Sequence, residues 1–234
     1  MQQVVASRLL GRLLDRVACI PEPVPPSQLA EAVAREGCRV VELRLDLLGY
    51  GLSEAQRAVE ELSSRGIRAI ATLRDSREGG RYSGPDREKL DTLLSLLDHG
   101  AWLIDVEYRF SLLDEALQAA RGRVIVSMHD FRWTPPPEVL YSYAGDMIRR
   151  GAAVAKVVTT ARTLEDIWKV LGINSRWPGR AAAFAMGRLG RLSRILAPLM
   201  GGALTYASLG EPVAPGQLTL RELLQAWRLM GVLE

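Results

Sequence analysis

Val41-Glu42-Leu43-Arg44-Leu45-Asp46-Leu47 alternates without a break between apolar residues and charges. Successive side chains of an extended chain point to opposite faces, so as a strand this stretch has one apolar face and one charged face. Trp102 to Arg109 repeats the pattern, with Trp102, Ile104, Val106 and Tyr108 on the apolar face and Asp105, Glu107 and Arg109 on the other. A solvated antiparallel strand alternates in the same way, so the rest of the chain has to decide between the two settings.

The 234 residues alternate short apolar runs with amphipathic segments from end to end. Strands are predicted at Arg16 to Ile20, Arg39 to Leu45, Ile67 to Leu73, Trp102 to Tyr108, Val124 to Met128, Ala153 to Val158, Ala181 to Ala185 and Ala203 to Tyr206. Helical patterns lie between and after them: Ser27 to Glu36, Ser53 to Ser64, Asp86 to Leu97, Leu112 to Ala120, Pro136 to Arg150, Thr163 to Leu171, Leu189 to Leu199 and Thr219 to Leu229. Ser27, Ser53 and Thr163 stand where helix caps belong. Eight strand–helix pairs argue for a parallel sheet, and the count of eight favours a closed (β/α)8 TIM barrel, an α/β fold, over an open sheet. The length is short for that fold and demands lean loops. One domain, 1–234, is expected, with 1–15 as a short N-terminal extension and 16–234 as the barrel. Val4 to Leu14, broken by Arg8 and Arg12, reads as a helix or extra segment closing the barrel floor rather than a signal or membrane segment.

Within such a barrel, the strand face not covered by helices is the interior, which holds no bulk water. Charges of both signs there must pair with one another or with a ligand, and polar interiors of that kind usually serve a site. Glu42, Arg44 and Asp46 of the second strand are assigned to this face. So are Thr72 and Arg74 of the third, Ser127 and His129 of the fifth, and Val154, Lys156 and Val158 of the sixth.

Lys156 stands in an apolar run, and only three of the 30 Lys plus Arg residues are lysine: Lys89, Lys156 and Lys169. Arginine cannot give up its proton and lysine can, so a buried lysine in an arginine-choosing chain points to a neutral amine nucleophile. Burial beside cationic Arg44 or Arg74 is expected to favour that form. A strand-end lysine reaching solvent or an acidic neighbour is the bland alternative. His129, one of two histidines, closes the fifth strand at the carboxyl end, where barrel enzymes keep their chemistry. A satisfied core histidine is its alternative; Lys156 one strand along favours proton transfer. His99, at a helix end, is explained by capping. Two glycine- and proline-containing loops, Arg74 to Pro85 and Ala207 to Leu218, read as mobile and lying over the mouth, the first able to bring Glu78 there from above; a plain solvent loop is the alternative for each.

Hydrophobic content of 48%, charged content of 24% and a net charge of +3 fit a soluble protein whose scattered arginines suit a small anionic ligand rather than nucleic acid or a membrane. Cys19 and Cys38 have no metal-ligand spacing and are read as two buried thiols in a reducing, cytoplasmic setting. Two distant histidines, with carboxylates mostly alternating with arginines, make a poor metal-ligand set, so activity without a metal or other cofactor, surviving chelators, is expected.

Six motifs occur in one order: Glu42-x-Arg44-x-Asp46; Arg74 with Glu78-Gly79-Gly80; Ser127-Met128-His129-Asp130-Phe131; Lys156; Met186-Gly187-x-x-Gly190-x-x-Ser193-Arg194; and Ala214-Pro215-Gly216-Gln217. From about Arg16 to Leu229 the chain resembles the type I 3-dehydroquinate dehydratases of the shikimate pathway. The resemblance implies a metal-free dehydration of 3-dehydroquinate to 3-dehydroshikimate through a Schiff base, on the way to chorismate and the aromatic amino acids. It makes Lys156 the imine-forming amine, His129 the acid/base and Glu78 the group that holds or tunes His129. It makes Arg194 the carboxylate clamp, Glu42, Arg44 and Arg74 contacts to ring hydroxyls and the carbonyl region, Gln217 a contact from the closing second loop, and Met186 an apolar wall. It also implies a homodimer.

The chain departs from the family pattern at Val213, where serine is frequent, and at Phe184 and Tyr206, where methionine and phenylalanine are common. Cys19 lies near a first-strand position often occupied by serine. Two rival readings are a class I aldolase, for which Gly201-Gly202 offers a phosphate nest, and a non-catalytic barrel that binds an acidic metabolite. The His129–Lys156 pairing and Arg194 argue against the first, and retention of both lysine and histidine against the second.

Overall fold

Alternation between extended and helical segments persists through the computed structural model, which describes residues 13–233. Eight parallel strands follow one another: β1 (Val17–Ile20), β2 (Val40–Arg44), β3 (Arg68–Thr72), β4 (Leu103–Glu107), β5 (Val124–His129), β6 (Val154–Thr160), β7 (Ala181–Met186) and β8 (Thr205–Ser208). Neighbours in sequence are neighbours in the sheet from β1 to β7, and β1 also pairs with β8 from Val17↔Thr205 to Ile20↔Ser208. The Ala203 N–H donates to the Ala181 carbonyl at 2.6 Å, tying the approach to β8 to the foot of β7. The architecture is a (β/α)8 barrel, as the strand count predicts. A two-residue strand, β9 (Leu218–Thr219), pairs in parallel with β8 on the edge away from β1.

The helices are α1 (Pro26–Arg35), α2 (Leu52–Ser64), α3 (Asp86–Asp98), α4 (Leu113–Ala119), α5 (Pro137–Arg149), α6 (Leu164–Arg176), α7 (Gly187–Leu196) and α8 (Leu220–Leu229). Thr163 caps α6 as expected: its hydroxyl accepts from the Asp166 N–H while Asp166 accepts from the Thr163 N–H. Ser27 and Ser53 are not caps. They lie inside α1 and α2, where Pro25 and Gly51 take the cap positions and the Glu54 side chain reaches back to the Gly51 N–H. α6 runs five residues past its predicted end because Asn174 has a use there, its amide exchanging two hydrogen bonds with the Ala183 backbone of β7.

The two faces of each strand feed two different cores. Outward residues such as Val41, Leu43, Ile104, Val106, Ala155 and Val157 pack against the helices. Inside, seven of the strands contribute to an apolar floor, Ala18, Val40, Ile70, Leu103, Ile125, Val154 and Ala182, and Leu204 joins it just before β8. Charges begin one inward step above this floor. Burying such residues contributes about 25 cal/mol per Å² of apolar surface, so the floor stabilises the ring that the charged layer above it strains.

Several assignments need correction. Asp46 is not on the strand: the chain turns into a single helical turn, Leu45–Leu48, and Asp46 uses its carboxylate to hold Arg44 through two hydrogen bonds of 2.8 and 2.7 Å. Arg109 lies beyond β4 and is exposed. Trp102 precedes β4 and packs against the interior core, not the helices, with the Arg68 guanidinium 4.4 Å from its ring centre. Cys19 and Cys38 are not two free thiols; their sulfurs are bonded, with 19 residues of sequence separation. Their proximity arises because β1 and β2 lie side by side in the sheet with Cys38 just ahead of β2, a closeness that linear spacing does not show. The Val4 to Leu14 segment lies outside the described residues except at its end, where Leu13 is buried. No helix among the described residues is long and apolar enough to cross a membrane.

Candidate active site

The carboxyl ends of the strands surround a cavity of about 150 Å³. Lys156, His129, Glu78, Glu42, Arg44, Arg74, Arg194, Gln217 and Met186 all line it, so every site residue expected from the sequence converges on one space. Asp46 and Asp105 lie around it and act through the residues they hold. Cys19 does not reach it: it faces the helices, and the neighbouring Ile20 is the β1 residue that lines the cavity.

Lys156 is 4% exposed and points inward from β6. Its ammonium donates to Asp105 at 3.0 Å and to Glu42 at 3.3 Å, and lies 4.0 Å from the Tyr206 ring centre. The expectation of a lysine pressed against arginines is therefore corrected. Arg44 is held by Asp46, and Arg74 by Asp105, Glu107 and the Ser127 hydroxyl. Burial by itself would raise the Asp105 carboxyl; Arg74, Lys156 and the Ser127 hydroxyl overcome that and hold it well below the usual carboxylate range.

His129 pairs in register with Val158, two residues above Lys156 on the neighbouring strand. Its Nδ1 is 2.9 Å from Glu78 Oε2, and its ring stacks on Phe131 with centroids 6.4 Å apart. Burial first, then the nearby Arg74 and Lys156 cations, push the imidazole well below its ordinary value, so it is a neutral base at neutral pH. The Glu78 carboxyl moves the other way, up to about 7, through burial and the Glu107 and Asp105 charges, with Arg74 opposing.

The first loop reaches His129 because it is folded down at several points. Asp75 caps the 3-10 turn Ser76–Glu78. Asp46 accepts from the Arg74 and Arg81 N–H groups, and Glu107 accepts from the Asp75 N–H. Gly80 packs so closely on the Arg74 carbonyl that a Cβ would collide with it. The second loop is also seated on the mouth. Gly216, at φ +71°, leaves no room for a side chain against the Gly187 carbonyl, and the Gly187 N–H donates to Pro215. Gln217 is buried and accepts from the Val213 N–H at 2.8 Å.

Arg194 differs from every other inward cation. It is 2% exposed, and among the described residues it has no carboxylate partner and its Nε finds no hydrogen bond. Its guanidinium lies 4.5 Å from the Phe184 ring centre, and burial lowers it to about 10. An unpaired buried cation is unstable unless an anion arrives.

Sequence reasoning did not single out Lys89. It is fully buried and reaches Glu107 at 2.5 Å. The signal was present: Lys89 lies on the apolar stripe of α3 with Leu90, Leu93, Leu96 and Leu97, and it is one of only three lysines. Among the described residues no group of three or more His, Cys, Asp or Glu side chains is placed to hold a metal ion.

A barrel that gathers a paired lysine, a carboxylate-held imidazole and an unpaired arginine at its carboxyl-end mouth is of the class of barrel enzymes that act on small anionic molecules. The family model for type I 3-dehydroquinase matches residues 23–234. A 3-dehydroquinate dehydratase of Dehalococcoides mccartyi is 38% identical over 218 residues, covering 91% of this chain and 94% of the relative. Another, of Methanopyrus kandleri, is 36% identical over 97% of this chain and 100% of its own length. The crystal structure of the enzyme of that name from Aquifex aeolicus superposes with a TM-score of 0.78 at 27% identity, covering 91% of this chain and 97% of that one. The chain belongs to the type I 3-dehydroquinase family.

Proposed function

We propose that this protein dehydrates 3-dehydroquinate to 3-dehydroshikimate through an iminium on Lys156. The observation that carries this reading is the placement of Lys156, His129 and the unpaired Arg194 around one cavity. Family membership supports the substrate class; the roles below rest on the geometry.

Arg194 takes the substrate carboxylate, which supplies its missing anion and fixes the ring through a planar, two-pronged contact that lysine cannot copy. Lys156 gives a proton to His129, which burial keeps neutral and able to accept it, and the free amine adds to the C3 ketone. His129 returns the proton to the carbinolamine hydroxyl, which leaves as water. The cationic C=N bond that results withdraws electrons from C2, lowering the barrel's barrier to proton loss there by several kcal/mol. His129 removes the C2 proton, the enamine pair expels the C1 hydroxyl as a second water using that proton, and hydrolysis of the imine consumes one water and frees Lys156. The net change is loss of one water. Asp105 and Glu42, which hold the resting ammonium, stabilise the iminium in the same place. Glu78, on Nδ1, orients the ring and leaves Nε2 for the substrate. Glu42, Arg44 and Arg74 border the hydroxyl and carbonyl side, Met186 forms an apolar wall, and Gln217 closes from the second loop.

Borohydride added with 3-dehydroquinate is expected to fix a substrate-derived mass on the Lys156 peptide, and chelators are expected to leave turnover unchanged. Absence of any adduct while product forms would overturn the imine. The residues named all come from one chain; the homodimer implied by the resemblance is tested by solution mass.

A further inference from the structure

The mechanism leaves one buried cation unused. Lys89, near the start of α3 on the outside of the barrel, is 1% exposed, and its ammonium lies between the Phe110 and Tyr82 rings, 5.3 and 5.9 Å from their centres. It is fixed on one oxygen of Glu107, at 2.5 Å. The other oxygen of Glu107 accepts from Arg74 Nη1 at 3.1 Å and from the Asp75 N–H at 3.0 Å. The Asp75 carbonyl in turn accepts from the Glu78 and Gly80 N–H groups, and Glu78 meets His129. One continuous line of contacts therefore runs from α3 to the imidazole.

Charge adds a second reason. Four carboxylates crowd this part of the mouth: Glu42, Glu78, Asp105 and Glu107. Arg74 and Lys156 supply cations from inside, and Lys156 must become neutral to react. Without Lys89, Arg74 would be the one cation hydrogen-bonded to Glu107 among the described residues, in competition with Asp105. An apolar residue at position 89 would pack on the same stripe of α3, so packing does not require lysine there.

We propose that Lys89 is a positioning residue for the dehydration: by satisfying Glu107 from behind the barrel wall, it holds Arg74 and the root of the loop that delivers Glu78 to His129. This rests on the reading of the function given above.

The test compares Lys89→Met, Glu107→Gln and the double variant with the wild type in kcat, KM, pH profile and melting temperature. Lys89→Met is expected to lower kcat about tenfold or more, as a small misplacement of a catalytic group does. KM should change much less, because Arg194 is untouched. The acid limb of the profile is expected to move to higher pH, since Glu107 and Asp105 raise Glu78, Arg74 opposes them, and the variant removes one neutralising cation from Glu107 and loosens Arg74. The double variant should lose no more than the worse single one. A Lys89→Met enzyme that melts earlier but keeps the wild-type kcat and pH profile would overturn the proposal, leaving a structural ion pair; so would losses that multiply in the double variant. Should Lys89→Met fail to fold, Lys89→Gln, which keeps a donor without the charge, gives the same comparison. An inert wild type would overturn the function and this inference together; an active wild type with unimpaired Lys89 variants would overturn this inference alone.

Discussion

Arg74 and Arg194 are both arginines, both buried and both turned toward the same cavity, yet their surroundings have nothing in common. Arg74, on the β3 side, is ringed by Asp105, Glu107 and Ser127. Arg194, on the α7 side, has an aromatic face beneath it and no counter-charge among the described residues. The β2–β6 half of the mouth is thus electrostatically complete before any substrate arrives, and the β7–β8 half is not. A completed network holds geometry; an incomplete one selects a ligand. The difference separates the residues that arrange the reaction from the one that waits for the anion.

The sharpest attack on the completed half removes its reacting member. Lys156→Ala is expected to bring turnover to background, at least about 10⁴-fold down, with the barrel still folded and borohydride labelling lost. Measured kcat and a circular dichroism spectrum check this. The two arginines should then respond with opposite signs. Arg74→Met leaves Asp105 with Lys156 and Glu107 with Lys89 as their remaining cations, and losing the shared partner of two buried carboxylates is expected to destabilise the fold by about 2–3 kcal/mol. Arg194→Met removes an unpaired buried charge; the ligand-free protein is expected to melt a few degrees higher while KM rises about 10²-fold or more. Equal stability losses for the two variants would erase the distinction.

Outside the mouth, reducing the Cys19–Cys38 bridge is expected to destabilise the protein by about 3 kcal/mol, on the chain-entropy picture for a loop of this length, without changing kcat at 25 °C. Melting curves with and without reductant, together with thiol counting, test it. The smallest effect concerns Glu78, whose carboxyl loses its proton at about pH 7 in the folded protein. As pH falls through that value the carboxylate is neutralised and its pull on the His129 N–H weakens, so kcat/KM is expected to fall on the acid side. Glu78→Gln should flatten that limb and lower kcat about tenfold; an unchanged limb would assign it to another group.

The strand–helix alternation and the charged face of Val41 to Leu47 were legible because period-two patterning is a local property of the chain. Where local pattern and tertiary context disagreed, context won. Asp46 continues the alternation in sequence but leaves the strand for a single helical turn, where its carboxylate accepts from Arg44 and from the Arg74 and Arg81 N–H groups of the first loop. Trp102 alternates as an outward residue, yet it packs on the interior core at the barrel floor, beside Arg68. The apolar floor beneath the charges was only partly visible, since an inward valine such as Val154 and an outward one such as Val157 look alike in a sequence.

Composition and order by themselves determined that a rare lysine and a rare histidine would lie on inward faces of neighbouring parallel strands, the histidine at its strand's carboxyl end, because strand direction and alternation follow from local sterics. Which charges face one another was settled only by closing the ring. Residues as distant in sequence as Glu42 and Lys156 became partners there, the two cysteines met across β1 and β2, and Arg194 was left without a counter-ion. Coulomb energy depends on separation in space, and separation in space is what a linear chain does not contain.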